Sequence, residues 1–335
     1  MENYIIKFKF LTPVHFGDIE QRSNLSSTDF LLQSDSVFSA LCNEAFKLYG
    51  QKGVDRLLDI ANGDFELSSM FPFYNDNYFL PKPLVVYNYN NNASYEKDSD
   101  MNYKKKLKKL KFLKISNFSY YNECGLNNKN IDVDKLINDT QNFGIFSVVQ
   151  KVKTSRVGED SLPYHLGVFT YNENSGAYVV LRIGNKDDID FISNLFAGLT
   201  FSGLGGRRSS GYGKFSYEII ELCNTRNNDL EILNKLLNMK SKRYMTLSLF
   251  LPNILDDEFL KNSYYTLVRR SGFIDSVNFS DTFVKKSDVY TFGVGSTFNS
   301  KVEGQILNVA GNFGNHKVYK FLKPLYVGVD SNENL

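Results

Sequence analysis

Residues 4–11 alternate, with Ile6, Phe8 and Phe10 on one side and Lys7 and Lys9 on the other. A period of two predicts a half-buried strand. The period then lengthens. Ser34 or Asp35 is placed to cap a helix whose apolar face is Val37, Leu41, Ala45 and Leu48, with Gly50 just past its end. A shorter helix is expected over about 54–61, closing near Gly63. Residues 65–87 keep neither period. Phe71-Pro72-Phe73-Tyr74 and Pro81-Lys82-Pro83 read as an ordered but irregular excursion. β-rich runs follow at Phe146–Val152 and Ala177–Ile183. Ile189, Ile192, Leu195, Phe196 and Leu199 form a helical stripe, and Phe215, Tyr217 and Ile219 mark a strand over 214–222. The order strand, helix, strand, strand, helix, strand is that of a ferredoxin-like, split βαβ unit.

This predicts an α+β fold, with a first domain over 1–223 that carries an insertion of about 63–143. Within the insertion, 88–102 is asparagine-rich and polar and reads as a mobile loop. Lys104 to Lys114 holds seven lysines, with Leu107, Leu110 and Leu113 at helical spacing. It reads equally as a solvated amphipathic helix or as one facing RNA or a partner. A short helix over 229–239 leads to strand candidates at 244–250, 264–268, 287–294 and 303–309. Helical signal is thin there, so 240–335 is expected to be a degraded second ferredoxin-like unit.

Composition changes this picture little. A chain of 335 residues predicts about two domains. The net charge is only +2, so affinity for nucleic acid must come from local patches. Cys42, Cys124 and Cys223 are few and far apart, which argues against disulfides and zinc. No basic leader and no apolar run of about 20 residues is visible, so the chain is expected to be cytoplasmic, with no membrane contact.

One segment carries candidate chemistry. Gly203-Leu204-Gly205-Gly206-Arg207-Arg208-Ser209-Ser210-Gly211-Tyr212-Gly213 concentrates five glycines, two arginines and two serines, and Lys214 follows. Glycines tolerate positive φ and let backbone N–H groups form an anion-binding nest. Arginine forks grip phosphate. The nucleotide motifs fail here. Tyr212 and Gly213 stand where a P-loop needs Lys and Ser/Thr, and Arg208 stands where the dinucleotide fingerprint needs Gly. Those motifs also run strand, loop, helix, and this one runs helix, loop, strand. The alternative is a plain solvated turn.

Leu11-Thr12-Pro13-Val14-His15-Phe16-Gly17, Ser34-Asp35-Ser36-Val37-Phe38-Ser39-Ala40 and the 203–215 loop resemble the RAMP superfamily of CRISPR proteins. Phe71-Pro72-Phe73, Leu80-Pro81-Lys82-Pro83 and Gly314-Asn315-His316-Lys317-Val318-Tyr319 narrow the resemblance to its fourth Csm subunit family of type III-A effector complexes. The resemblance implies two ferredoxin-like (RRM-like) domains. It implies a non-catalytic subunit that binds the crRNA 5′ handle through the glycine loop, the first helix start and a β-hairpin thumb. It also implies docking to the large polymerase-like subunit and to a backbone RAMP subunit. The implied RNA-binding residues are His15, Ser34, Ser36, the thumb residues Lys151, Lys153 and Arg156, and Gly203, Gly205, Gly206, Arg207, Arg208, Ser209, Ser210, Gly211, Tyr212 and Gly213.

Some RAMP proteins are metal-independent endoribonucleases that process CRISPR repeat RNA, and that is the alternative. Such chemistry needs an acid or base near neutral pKa. His15, His165 and His316 are the three histidines, and His15, in the loop after the first strand, has no second acid–base partner fixed beside it in sequence. No metal-ligand spacing is present, so no catalytic residue, metal or cofactor is expected.

Overall fold

The computed structural model describes residues 1–17, 25–85, 103, 105–126, 131–138, 143–153, 161–255, 257–276, 279, 282, 284–311 and 314–329. The asparagine-rich stretch 88–102, Lys104 and Arg156 lie outside the described residues.

In chain order the first part runs β1 (Glu2–Phe10), α1 (Ser34–Tyr49), α2 (Gln51–Asn62), β2 (Phe65–Leu67), β3 (Phe71–Tyr74), β4 (Asn77–Pro81) and β5 (Phe112–Lys114). It continues through α3 (Phe118–Leu126), α4 (Val133–Asn138), β6 (Gly144–Lys153), β7 (Leu162–Tyr171), β8 (Ser175–Ile183), α5 (Asp188–Ser202) and β9 (Phe215–Glu221). β1 is central, antiparallel to β8 on one side and β9 on the other. Its alternation is used on both faces. Tyr4, Ile6 and Phe8 pack with Val37, Phe38 and Leu41 of α1 and Phe196 of α5. Ile5 joins the opposite core with Tyr178 and Val180. The Phe8 ring meets those of Phe196 and Phe215 at 5.6 and 5.3 Å, so Phe8→Ala would cost about 3–5 kcal/mol.

The sheet differs from expectation in its second strand. The run 146–152 is not in it. That run lies in β6, which pairs with β7 in a two-stranded ribbon. The place beside β8 is taken by β3, giving the order β5-β4-β3-β8-β1-β9, with β2 also on β8. Pro72 and Pro81 made this region look irregular, because proline removes a ladder donor. Here both prolines sit within strands, and Phe71, Phe73, Phe79 and Leu80 are buried. The lysine-rich segment differs too. It is helical over 105–109 but turns into β5 at Phe112, while Leu110 and Leu113 go into the core.

The second part holds α6 (Asn228–Asn238), β10 (Tyr244–Thr246), α7 (Asp257–Leu260), β11 (Leu267–Arg270), β12 (Val289–Phe292), β13 (Thr297–Phe298), β14 (Gln305–Asn308), β15 (Tyr319–Leu322) and β16 (Tyr326–Gly328). The strands form three small antiparallel sheets, β13-β10-β16, β11-β12 and β14-β15. Asn227 caps α6 by accepting from the Leu230 N–H at 3.1 Å. The parts are stitched closely. Phe321 of β15 stacks on Phe38 of α1, and Lys323 donates to the carbonyls of Ala61 and Gly63 at the end of α2. Among the described residues, no helix is long and apolar enough to cross a membrane.

Candidate nucleic-acid interface

The glycine loop leaves α5 at Gly203 (φ 78°) and is tied down along its length. Gly206 donates to the His15 carbonyl at 2.7 Å, Gly213 to Pro13 at 2.9 Å, and Leu204 to Gly213 at 2.9 Å. Two glycines are needed for packing against the chain itself. A Cβ on Gly205 would stand 2.6 Å from the Phe16 ring, and one on Gly213 1.9 Å from the Leu204 carbonyl oxygen. The close approach read for a ligand backbone is thus, at these positions, an approach to the chain's own loop. Other N–H groups remain unspent. The N–H groups of Gly205, Arg207, Arg208 and Ser209 have no hydrogen-bond partner among the described residues. Arg207 is left-handed (φ 58°) ahead of a single 3-10 turn over Arg208–Ser210, the dihedral alternation of an anion nest. Gly206, Arg207, Ser209, Ser210 and Gly211 are exposed, while Gly203, Tyr212 and Gly213 are buried.

The loop and the β6–β7 ribbon form one surface. Lys151 and Tyr164 face each other across the ribbon. The Lys151 ammonium lies 5.3 Å from the centre of the Tyr212 ring, and the Arg207 guanidinium 5.2 Å from that of Tyr164. Tyr212 is only 9% exposed and packs with Leu166 and Val168. It therefore supports the ribbon, although the resemblance implied that it contacts RNA. Lys153 is exposed on the same strand. His15 is 8% exposed, and its Nδ1–H donates to the Gly167 carbonyl at 2.7 Å. It binds the loop after β1, the ribbon and the glycine loop together. It is a support for the surface rather than an exposed RNA contact.

The start of α1 also departs from expectation. The N-cap is Gln33, not Ser34 or Asp35, and it makes no side-chain cap. Ser34 is fully buried. Its hydroxyl accepts from the Leu249 N–H at 3.1 Å, and its own N–H donates to Ser69 at 3.0 Å. Asp35 is 3% exposed and receives both Arg270, through Nε and Nη2 at 2.9 Å, and Lys320 at 2.9 Å. Burial alone would raise its pKa, but the two cations and their hydrogen bonds hold the carboxyl well below the usual range. The helix start thus already holds an anion, its own. Ser36 receives the remaining Arg270 contact at 2.9 Å and lines the cleft.

That cleft, about 700 Å³, runs between the two parts. Its walls include Gly203–Gly206, Ser36, Arg270, Lys286, His316 and Lys320. Arg208 crosses it to Asp275 at 2.8 Å. Nothing in the sequence pattern pointed to Arg270, Lys286 or Lys320. They lie more than 230 residues from Asp35 and follow no motif spacing. His316 is hydrogen-bonded to Ser276 and to the Lys317 carbonyl. Among the described residues, no group of three or more His, Cys, Asp or Glu is placed to hold a metal ion.

The RAMP superfamily model matches residues 7–216, and the CRISPR Csm4 C-terminal domain model matches 239–329. Over 98% of both chains, this chain is 30% identical to the CRISPR system Cms protein Csm4 of Mycobacterium tuberculosis (strain ATCC 25618 / H37Rv). The chain belongs to the Csm4 family of the RAMP superfamily. The Streptococcus thermophilus Csm4 is likewise 30% identical, over 96% of this chain and 97% of that one. Among solved structures, the Csm3-Csm4 subcomplex of the type III-A CRISPR-Cas interference complex aligns with TM-score 0.61 at 19% identity, over 98% of this chain and 100% of that one. A Csm1-Csm4 cassette in complex with pppApA aligns with TM-score 0.60 at 19% identity over the whole of both chains. At that identity the family's fold is shared.

Proposed function

We propose that this chain is the non-catalytic subunit of a type III-A CRISPR interference complex that holds the crRNA 5′ handle. Membership of the Csm4 family makes it a Csm subunit of a CRISPR system. The observation that supports the finer reading is the joined surface of the loop and ribbon. Arg207 of the loop lies over Tyr164 of the ribbon and Lys151 of the ribbon over Tyr212 of the loop, the loop carries four unspent N–H groups, and Lys153 is exposed on the same strand as Lys151. Single-stranded RNA is held through its backbone by such groups. The family reading makes each part of the chain a ferredoxin-like unit, and the antiparallel order β9-β1-β8-β3 with α1 and α5 as crossovers suits the first. Relatives solved as Csm1-Csm4 and Csm3-Csm4 assemblies support docking to a large subunit at one end and a backbone RAMP subunit at the other.

The nuclease alternative is disfavoured by His15, whose ring is buried and committed to Gly167. The test is binding of handle RNA to the full chain across a salt series, with repeat RNA incubated in parallel. Salt-dependent binding without cleavage is expected. Cleavage that disappears in His15→Ala would replace this function with the nuclease one.

A further inference from the structure

The two adjacent arginines of the glycine loop serve different sides of the molecule. Arg207 is left-handed, at φ 58°, and its guanidinium lies over Tyr164 of the ribbon, with no carboxylate paired to it among the described residues. Arg208 reaches across the cleft instead and meets Asp275 of the second part. One cation is open to an outside anion. The other is occupied by the chain's own carboxylate.

That carboxylate is placed to let go. Asp35, in the same cleft, is 3% exposed and takes two cations, so losing them would strand a buried charge. Asp275 has one partner, and its side chain is 80% exposed. Water solvates it as soon as the pair opens, so the pair contributes little to stability. The contact is also single, from Arg208 Nη2 to Asp275 Oδ2 at 2.8 Å. A phosphate can take a guanidinium through two parallel hydrogen bonds, which is the stronger arrangement. The backbone behind the carboxylate is nevertheless fixed. Asn43 of α1 donates to the Asp275 carbonyl at 3.3 Å, and the hydroxyl of Ser276 and Nε2 of His316 are hydrogen-bonded at 2.9 Å. The carboxylate is therefore held in position while its ion pair stays exchangeable.

We propose that Asp275 is an internal competitor that regulates the glycine loop: its carboxylate occupies Arg208, and an RNA phosphate must displace it to reach that guanidinium. The proposal rests on the RNA-binding reading above and adds a threshold to it. Displacement lowers the affinity of every anion that uses Arg208 by the same factor. A lone phosphate, with few other contacts, does not overcome it, whereas a strand also held by Arg207 and the open N–H groups does.

The experiment uses the full chain and single-stranded RNA carrying the repeat-derived handle. Affinity and melting are measured for the parent, Asp275→Asn, Arg208→Ala, these two combined, and Arg207→Ala. In parallel, arginines are labelled with phenylglyoxal, with and without RNA, and Arg208 is read by peptide mass. Asp275→Asn should bind RNA about two- to fivefold more tightly, the span available to an exposed ion pair, and should melt with the parent. In the Arg208→Ala background the same change should add nothing, because the two residues act through one contact. Arg208 should label faster in Asp275→Asn than in the parent, and RNA should shield it in both. An equal gain in both backgrounds would mean that Asp275 acts only through its general negative field, and would overturn the competitor. So would parental or weaker binding by Asp275→Asn, equal labelling of Arg208 in the two proteins, or a melting collapse that makes the pair a structural tie. In each of these cases a weakened Arg207→Ala leaves the RNA reading intact. Salt-independent binding by the parent, unchanged in Arg207→Ala, would take down the RNA reading and the competitor with it.

Discussion

The glycine loop and the start of α1 border the same cleft, and they treat their polar groups in opposite ways. The loop spends its N–H groups at Leu204, Gly206 and Gly213 on anchoring and leaves those at Gly205, Arg207, Arg208 and Ser209 open. The helix start spends nearly everything. Ser34 is locked between Leu249 and Ser69, and Asp35 supplies the negative charge that a helix N-terminus attracts. Small hydroxyl residues at a helix start and small residues in a loop look alike in sequence. Only the loop retains capacity for an outside anion, and the helix start instead joins the two parts of the chain.

The sharpest way to break this contrast is at Asp35. Asp35→Ala would strand Arg270 and Lys320 without their partner and should cost about 3–5 kcal/mol in urea unfolding. A loss under 1 kcal/mol would mean that the helix start is not the junction described. The pH dependence has a definite sign. The folded pKa of Asp35 lies below its ordinary value of 3.8, so its contribution is complete above that value and is lost as pH falls toward the folded pKa. The parent should therefore lose more stability than Asp35→Asn as pH is lowered below about 4.

Next comes the loop's own architecture. Gly213→Ala combines a left-handed φ of 72° with a Cβ 1.9 Å from the Leu204 carbonyl oxygen. It should cost about 2–5 kcal/mol. Gly211, at φ 87°, has open space around its Cβ position, so Gly211→Ala should cost only about 1–2 kcal/mol. Equal losses in the two variants would show that packing against the chain does not decide which glycines the loop needs.

Arg207 and Arg208 divide the loop's function. Arg207→Ala should weaken RNA binding by about 1–3 kcal/mol while melting stays unchanged. Arg208→Ala breaks a pair with exposed Asp275 and should change stability by no more than about 1 kcal/mol. A melting collapse in Arg207→Ala would make the loop structural throughout.

The smallest effect is expected from the lysine-rich segment. Lys106 pairs with Asp134 at 2.8 Å, with both groups exposed, which contributes about 0.2–1 kcal/mol. Charge reversal at Lys105, Lys108 and Lys109 tests whether that face meets RNA. A flatter salt dependence of RNA binding would extend the interface to it, and an unchanged one would mark it as solvated.

Regular periodicity made much of the first part legible. β1, α5, the glycine loop and β9 lie close to where the pattern predicts, because each has one buried face and a clear terminus. Two elements misled for physical reasons. Pro72 hid a buried strand. Ile145, Phe146, Val148 and Val152 imitated a core strand, although the ribbon leaves them exposed. In the site, Tyr212 and His15 carry chemistry suited to RNA, but burial commits them to support. Arg270, Lys286 and Lys320 reach the cleft through tertiary folding of the second part, which thin helical signal and short strands left unreadable.

The uncovered ribbon has a practical consequence for solution work. Phe146 and Val148 are each 58% exposed on one face of the ribbon, and Leu162 is 63% exposed on the other. Sulfate strengthens apolar burial, whereas any salt weakens contacts to phosphate. On the proposed reading, salt acts on this molecule with two signs, favouring burial of the ribbon's apolar side chains while loosening RNA. A chloride series at low protein concentration keeps the two effects apart, and a sulfate series confounds precipitation with release.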